Sequence, residues 1–168
     1  MRQHNLRILF FLLVLWGVAV ACSRREARFR IGVSQCSEDE WRRQMNSEIL
    51  REAHFYGDVE VDIRTPVDDN DRQAKDIREL IAEGVDLLIV APNEATPITP
   101  VVEEAYNRGI PVIVVDRKIL SDKYTAYVGA DNYEIGKAVG EYVANVLHGQ
   151  GDVVEISGLV GSTPAVDR

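Results

Sequence analysis

GVDLLIVAPNEATPITPVVEEAYNRGIPVIVVDR, residues 84–117, decides the fold. Asp86 to Ala91 (DLLIVA) and Pro111 to Val115 (PVIVV) are continuous apolar runs of strand length, the pattern of parallel strands covered on both faces. Between them Thr96 and Pro97 read as an N-cap and first-turn proline, Val101, Val102 and Ala105 as an inner stripe, and Gly109 as a stop. A crossover of this length permits parallel pairing.

The same unit repeats on either side. Phe29 to Ser34 (FRIGVS) is a strand, and Ser37-x-x-Glu40 is a capping box opening a helix on which Trp41, Met45 and Ile49 recur every four residues, with Gly57 closing it. Val59, Val61 and Ile63 alternate with Glu60, Asp62 and Arg64, so this strand has one polar face and is expected near an edge. A helix follows, with Ala74, Ile77, Leu80 and Ile81 on one stripe and the acids Asp68, Asp69 and Asp71 at its start, where the helix dipole favours them. Thr125 to Gly129 is a fifth strand. Asp131 then caps a helix whose Ile135, Ala138, Val139, Tyr142, Val143, Val146 and Leu147 form one apolar stripe. Asp152 to Ser157 (DVVEIS) is expected to be a sixth strand, running into a glycine-bearing loop from Gly158 to Thr163. Strict alternation predicts an α/β fold, a doubly wound parallel sheet with helices on both faces and ligands at the carboxyl ends of the strands.

Composition agrees. The chain has 168 residues, 46% of them hydrophobic, with 12 Gly, 6 Pro and 2 Cys, which excludes disordered, collagenous, coiled-coil and disulfide-scaffold classes. Net charge is −8, and the first 22 residues hold Arg2, Arg7 and no acid, leaving −10 on the rest. Such a body repels nucleic acid and anionic lipid.

Residues 1–22 read as a signal peptide or membrane anchor. Ile8 to Cys22 is an uncharged apolar run of fifteen residues, which as a helix would span only ~22 Å against a ~30 Å hydrocarbon core. Ala19-Val20-Ala21-Cys22 resembles a bacterial lipoprotein processing site, making Cys22 the candidate lipidated residue; an uncleaved anchor and cleaved secretion are the alternatives. Each puts the body outside the cytoplasm. With Cys22 lipidated, Cys36 has no disulfide partner and is expected to be a small buried hydrophobe.

Among residues at strand ends, Asp116 and Arg117 follow the fourth strand. A carboxylate accepts two adjacent hydroxyl hydrogens and a guanidinium donates to hydroxyl or ring oxygens, so the pair suits a polyhydroxylated ligand; an internal ion pair is the alternative. Trp41, near the end of the first strand, offers an indole face for a sugar ring or packs in the core with Met45 and Ile49. Asp131 reads as a plain cap or a ligand contact. His4, His54 and His148 lack ligand-spaced partners, and no Walker loop or Gly-x-Ser-x-Gly elbow is present, so no metal, cofactor or enzymatic reaction is expected.

On residues 84–117, on YVGADNYEIGKAVGEYV (127–143) and on DVVEISGLVGSTPAVDR (152–168), the sequence resembles type I periplasmic binding proteins of the ribose-binding group. IGVSQCSEDEWRRQMNSEI (31–49), DDNDRQAKDI and DRKILSDKYTAYVGADNYEIG resemble more narrowly the periplasmic sugar-sensor domain of Bacteroidetes hybrid two-component systems. The resemblance implies that residues 23–28 are a linker, 29–130 the N-terminal lobe, and 131–168 the end of that lobe, the crossover and the start of a second lobe continuing past Arg168. It assigns sugar contacts to Trp41, Asp116, Arg117 and Arg168, with Asn93 standing in for the polar residue that relatives often carry where this chain has Ala91; Asp131, by its place at a strand end, is a further candidate contact. It implies a carbohydrate-sensing extracytoplasmic domain of a hybrid histidine kinase, membrane-anchored through its N-terminus, with a homodimer open as the assembly. The alternative is a lipoprotein that delivers sugar to an ABC importer.

Overall fold

The computed structural model describes residues 29–168. The signal or anchor segment, Cys22 and the 23–28 linker lie outside the described residues. Five parallel strands, β1 (Phe29–Ser34), β2 (Val59–Arg64), β3 (Leu87–Val90), β4 (Val112–Val115) and β5 (Ala126–Val128), form one sheet in the order β2-β1-β3-β4-β5. The helices are α1 (Glu40–Ala53), α2 (Asn70–Ala82), α3 (Ala95–Asn107), α4 (Asn132–Val146) and α5 (Thr163–Asp167). As its alternation predicts, β2 is an edge.

From β1 the chain first steps outward to β2 and then returns past β1 to β3. Right-handed crossovers therefore put α1 on the face opposite α2 and α3, and make the carboxyl ends of β1 and β3 the switch point of the sheet. On the α2/α3 face Leu88, Val90, Val112 and Val114 are buried against Ile77, Leu80, Ile98, Val101, Val102 and Ala105. Their alternate neighbours Leu87, Ile89, Ile113 and Val115 are only half-buried, so the symmetrical coverage expected from their apolar runs is not realised among the described residues. Gly32 on β1 is demanded by this packing, since a Cβ there would stand 3.1 Å from Leu80 and 3.2 Å from Val85.

Local starts differ from the sequence reading in two places. The cap of α1 is Asp39, which accepts the Arg42 backbone N–H at 2.9 Å, while Ser37 donates to the Asp39 carboxylate at 2.6 Å; the residue just before the first helical turn takes the capping role from Ser37. These hydrogen bonds hold the Asp39 carboxyl below its usual range. Helix α3 starts at Ala95 after Glu94, which makes no side-chain cap, so Thr96 and Pro97 both fall within the first turn. Asp131 caps α4 as expected, and of the three acids at the start of α2 it is Asp69 that caps the helix.

Residues 152–157 form no strand. A strand needs a neighbouring ladder, and β5 pairs only with β4; Val154 and Ile156 stand exposed. The apolar stripe of α4 is also exposed at Ile135, Val139, Tyr142 and Val146, so α4 does not serve as a cover for this sheet. No described helix is long and apolar enough to cross a membrane.

Candidate functional site

The carboxyl end of β4 and residues 155–168 enclose a cleft of about 330 Å³, a size within the range of small-molecule sites, whose polar lining includes Asp116, Arg117, Glu155, Ser157, Ser162 and Arg168. A larger groove of about 730 Å³ lies between α4 and residues 149–156. Its walls are Ile135, Val139, Val143, Leu147, Val153 and Ile156, a lining unsuited to a hydroxyl-rich guest.

Asp116 sits immediately after β4 with φ +63, the left-handed region that Asp tolerates better than most residues. That turn lifts its carboxylate out of the strand direction. Its backbone carbonyl accepts the Tyr127 hydroxyl at 2.8 Å, and its backbone N–H reaches Val128 on β5, so the strained residue is held at both ends. Burial, and next the Asp116 carboxylate, push the Tyr127 phenol above its usual range.

The Asp116 carboxylate accepts a hydrogen bond from Arg42 Nη2. Arg42 is 3% exposed, yet its Nη1 is buried with no partner, one of two such side-chain atoms among the described residues. A buried guanidinium with a spare donor is costly unless something accepts from it, and Asp116, its hydrogen-bond partner, lines the cleft. Sequence reasoning missed Arg42. The signal was there: Arg42, Met45, Asn46 and Ile49 follow i, i+3, i+4, i+7, so the inward face of α1 runs through Arg42 instead of Trp41. Trp41 is accordingly 58% exposed, which removes its core-packing reading, and its ring covers the Arg42 guanidinium with the centroid 4.6 Å away.

Arg117 donates from Nη1 to the Asn93 backbone carbonyl at 2.7 Å, and its Nε lies 4.0 Å from the Asp116 carboxylate. Asn93 is 2% exposed, and its side-chain amide donates to Asn70, so this residue is committed within the protein and supports Arg117. Arg168 lines the cleft while its Nε donates to Asn132 at 2.8 Å. Asp131, next to Asn132, accepts the Glu134 backbone N–H at 3.2 Å and is outside the cleft lining. The structure thus gathers Asp116, Arg117 and Arg168 in one cleft and attaches Trp41 through Arg42 and Asn93 through Arg117. Cys36 is fully buried, as expected of a small hydrophobe.

The glycine-bearing loop closes one wall through backbone contacts. Ala95 N–H donates to the Gly161 carbonyl at 3.1 Å, and the Lys118 N–H to Thr163 Oγ1 at 2.8 Å. Gly161 has φ +88, and a Cβ there would stand 2.5 Å from the Glu94 carboxylate. Together Asp116, Glu155, Arg117 and Arg168 give this cleft both carboxylate acceptors and guanidinium donors beside the apolar Ile156 and Leu159, a lining able to donate to and accept from hydroxyls.

A family model described as "Periplasmic binding protein domain" matches residues 31–168. The chain belongs to that family. Family membership gives the described domain an extracytoplasmic location. The galactofuranose-binding protein YtfQ of Escherichia coli K12 is 35% identical over 164 residues, covering 94% of this chain and 51% of that protein. A solved fructose-binding periplasmic domain of the hybrid two-component system BT1754 superposes with a TM-score of 0.79 at 65% identity, covering 83% of this chain and 47% of that one. The binding protein of the arabinose ABC transporter from Shewanella sp. ANA-3, solved with L-arabinofuranose, gives a TM-score of 0.71 at 33% identity over 82% of this chain and 47% of its own. The chain therefore spans about half the length of these relatives.

Proposed function

We propose that the chain supplies the first lobe, which ends within residues 131–168 together with the crossover and the start of the second, of an extracytoplasmic domain that binds a monosaccharide, and that it senses this sugar for a hybrid two-component histidine kinase. The observation that carries the binding role is the Asp116–Arg117 pair lining the cleft, backed by Arg42, which is bonded to Asp116 and keeps a buried donor unpaired. Asp116 accepts from two sugar hydroxyls, while Arg42 and Arg117 donate to hydroxyl or ring oxygens. Trp41 flanks the ring, Arg168 adds a contact from the start of the second lobe, and Asp131 at the cap of α4 is a further candidate contact. Binding energy realised only when both lobes touch the sugar biases the domain toward a closed form.

The sensing role rests on the 65% identity to the fructose-binding domain of a hybrid two-component system, and fructose is the first sugar to test. The 35% identity to a galactofuranose-binding protein and the likeness to an arabinose-transporter component favour a second reading, a lipid-anchored transport protein attached through Cys22. Calorimetry with fructose, galactose, arabinose and ribose on a protein carrying both lobes tests the binding role. One of these sugars is expected to bind, with Asp116→Asn weakening it at least tenfold, about 1.4 kcal/mol and close to the range for a charge-assisted hydrogen bond. Unchanged affinity removes Asp116 from the site. Coding sequence downstream of the second lobe separates the two roles: an apolar span followed by a kinase region supports sensing, and a stop codon supports transport.

A further inference from the structure

Gln73 lies on α2, fully buried and away from the cleft wall, and no part of the reading above uses it. Its amide nitrogen lies 2.9 Å from the Ala91 carbonyl, 3.1 Å from the Gln35 carbonyl and 3.2 Å from Ser34 Oγ. These acceptors sit at the carboxyl ends of β1 and β3, the two strands that flank the switch point, where the ladder has run out and carbonyls lose their sheet partners. Gln73 Oε1 accepts the Asn93 backbone N–H at 2.9 Å. Asn93 in turn holds Arg117 through its backbone carbonyl at 2.7 Å and through its Oδ1 at 3.4 Å. Asn70, one turn before Gln73, accepts from the Asn93 side-chain amide at 3.0 Å and donates to Glu94 at 2.8 Å.

A buried primary amide that uses both ends is costly to replace, because each lost bond strands a desolvated partner. The bonds to Ser34, Gln35 and Ala91 tie α2 to the ends of β1 and β3. The bond to Asn93 also reaches the site: it holds the backbone N–H of the residue whose own carbonyl, in the following peptide, anchors the Arg117 guanidinium. We infer that Gln73 is a positioning residue of the ligand site, setting through Asn93 where Arg117 stands in the cleft. The inference rests on the sugar-binding role given to Arg117.

A double-mutant cycle tests it, in a protein carrying both lobes and titrated calorimetrically with the sugar found to bind. Gln73→Met keeps the length of the side chain and removes its hydrogen bonds. In the Arg117 background it is expected to weaken binding about tenfold; in an Arg117→Ala background, where there is no guanidinium left to misplace, by less than twofold. A merely structural Gln73 gives the same loss in both backgrounds, or a lowered melting temperature with affinity intact, and either result overturns the inference. Should Gln73→Met not fold, Asn70→Ala takes its place, since Asn70 is half-buried at the margin of the network. Its loss is expected to be severalfold and again confined to the Arg117 background; equal losses in both backgrounds refute the positioning role. If Arg117→Ala alone leaves affinity unchanged, the fault lies with the site assignment. If Arg117→Ala weakens binding and neither network variant does, the fault lies with Gln73.

Discussion

Asp116→Asn and Arg42→Met remove the same ion pair from opposite sides, and the structure predicts that they differ in stability. Arg42 is 3% exposed and Asp116 37% exposed. Asparagine keeps the shape of aspartate and tolerates the φ of +63 at this position, so the substitution removes charge with little backbone strain. It leaves a guanidinium buried without its anion. Breaking a fully buried pair in this way costs about 3–5 kcal/mol, and the partial exposure of Asp116 screens the interaction, so about 2 kcal/mol is expected. Arg42→Met instead takes the charge away and fills the volume with an apolar chain, while Asp116 turns to water. That costs about 1 kcal/mol or less. The double variant is expected to match Arg42→Met alone, since a neutral partner is harmless once the cation is gone. Urea unfolding at pH 7 of all four proteins measures the differences. Arg42→Met destabilising as much as Asp116→Asn refutes the view that Arg42 depends on Asp116 as its counter-ion.

Two further outcomes are expected. Trp41→Ala removes an exposed ring that covers Arg42, so stability falls by about 1 kcal/mol or less while sugar affinity falls at least tenfold; calorimetric affinity that survives the change removes Trp41 from the site. Asp39→Ala deletes the α1 cap and costs about 1 kcal/mol at neutral pH. Because the folded state holds the Asp39 carboxyl below its unfolded value, its contribution is present above the unfolded pKa of about 4 and is lost as pH falls through the folded one. The stability gap between wild type and Asp39→Ala should therefore shrink as pH is lowered below the unfolded pKa of about 4, and a gap that stays constant through acid titration contradicts an ionised cap.

The sheet was legible wherever burial dictates sequence. DLLIVA and PVIVV announced β3 and β4 because a parallel strand in the middle of a sheet has little room for polar residues, and the alternation over Val59–Arg64 announced an edge. The same logic failed at DVVEIS, since an apolar run of strand length states a preference and a ladder requires a partner at hand. At the site, Asp116 and Arg117 could be picked out because topology alone assigns residues after strand ends to the ligand side. Arg42 could not be seen while Trp41, the largest apolar residue of the helix, was taken to start its inner stripe. One residue is a rotation of about 100°, enough to exchange the inward guanidinium for the outward indole. Gln73 stayed hidden because a glutamine on a helix reads as surface until three-dimensional neighbours show the carbonyl ends it joins.

A crystal structure of the two-lobed protein with its sugar bound, fructose first, tests the central claim most directly. The account predicts a ring lodged between the lobes, with Asp116 Oδ1 or Oδ2 and a nitrogen of Arg42 or Arg117 each within about 3.2 Å of its oxygens. A sugar seated elsewhere, with Arg42 still bonded only to Asp116 and Arg117 only to Asn93, contradicts it.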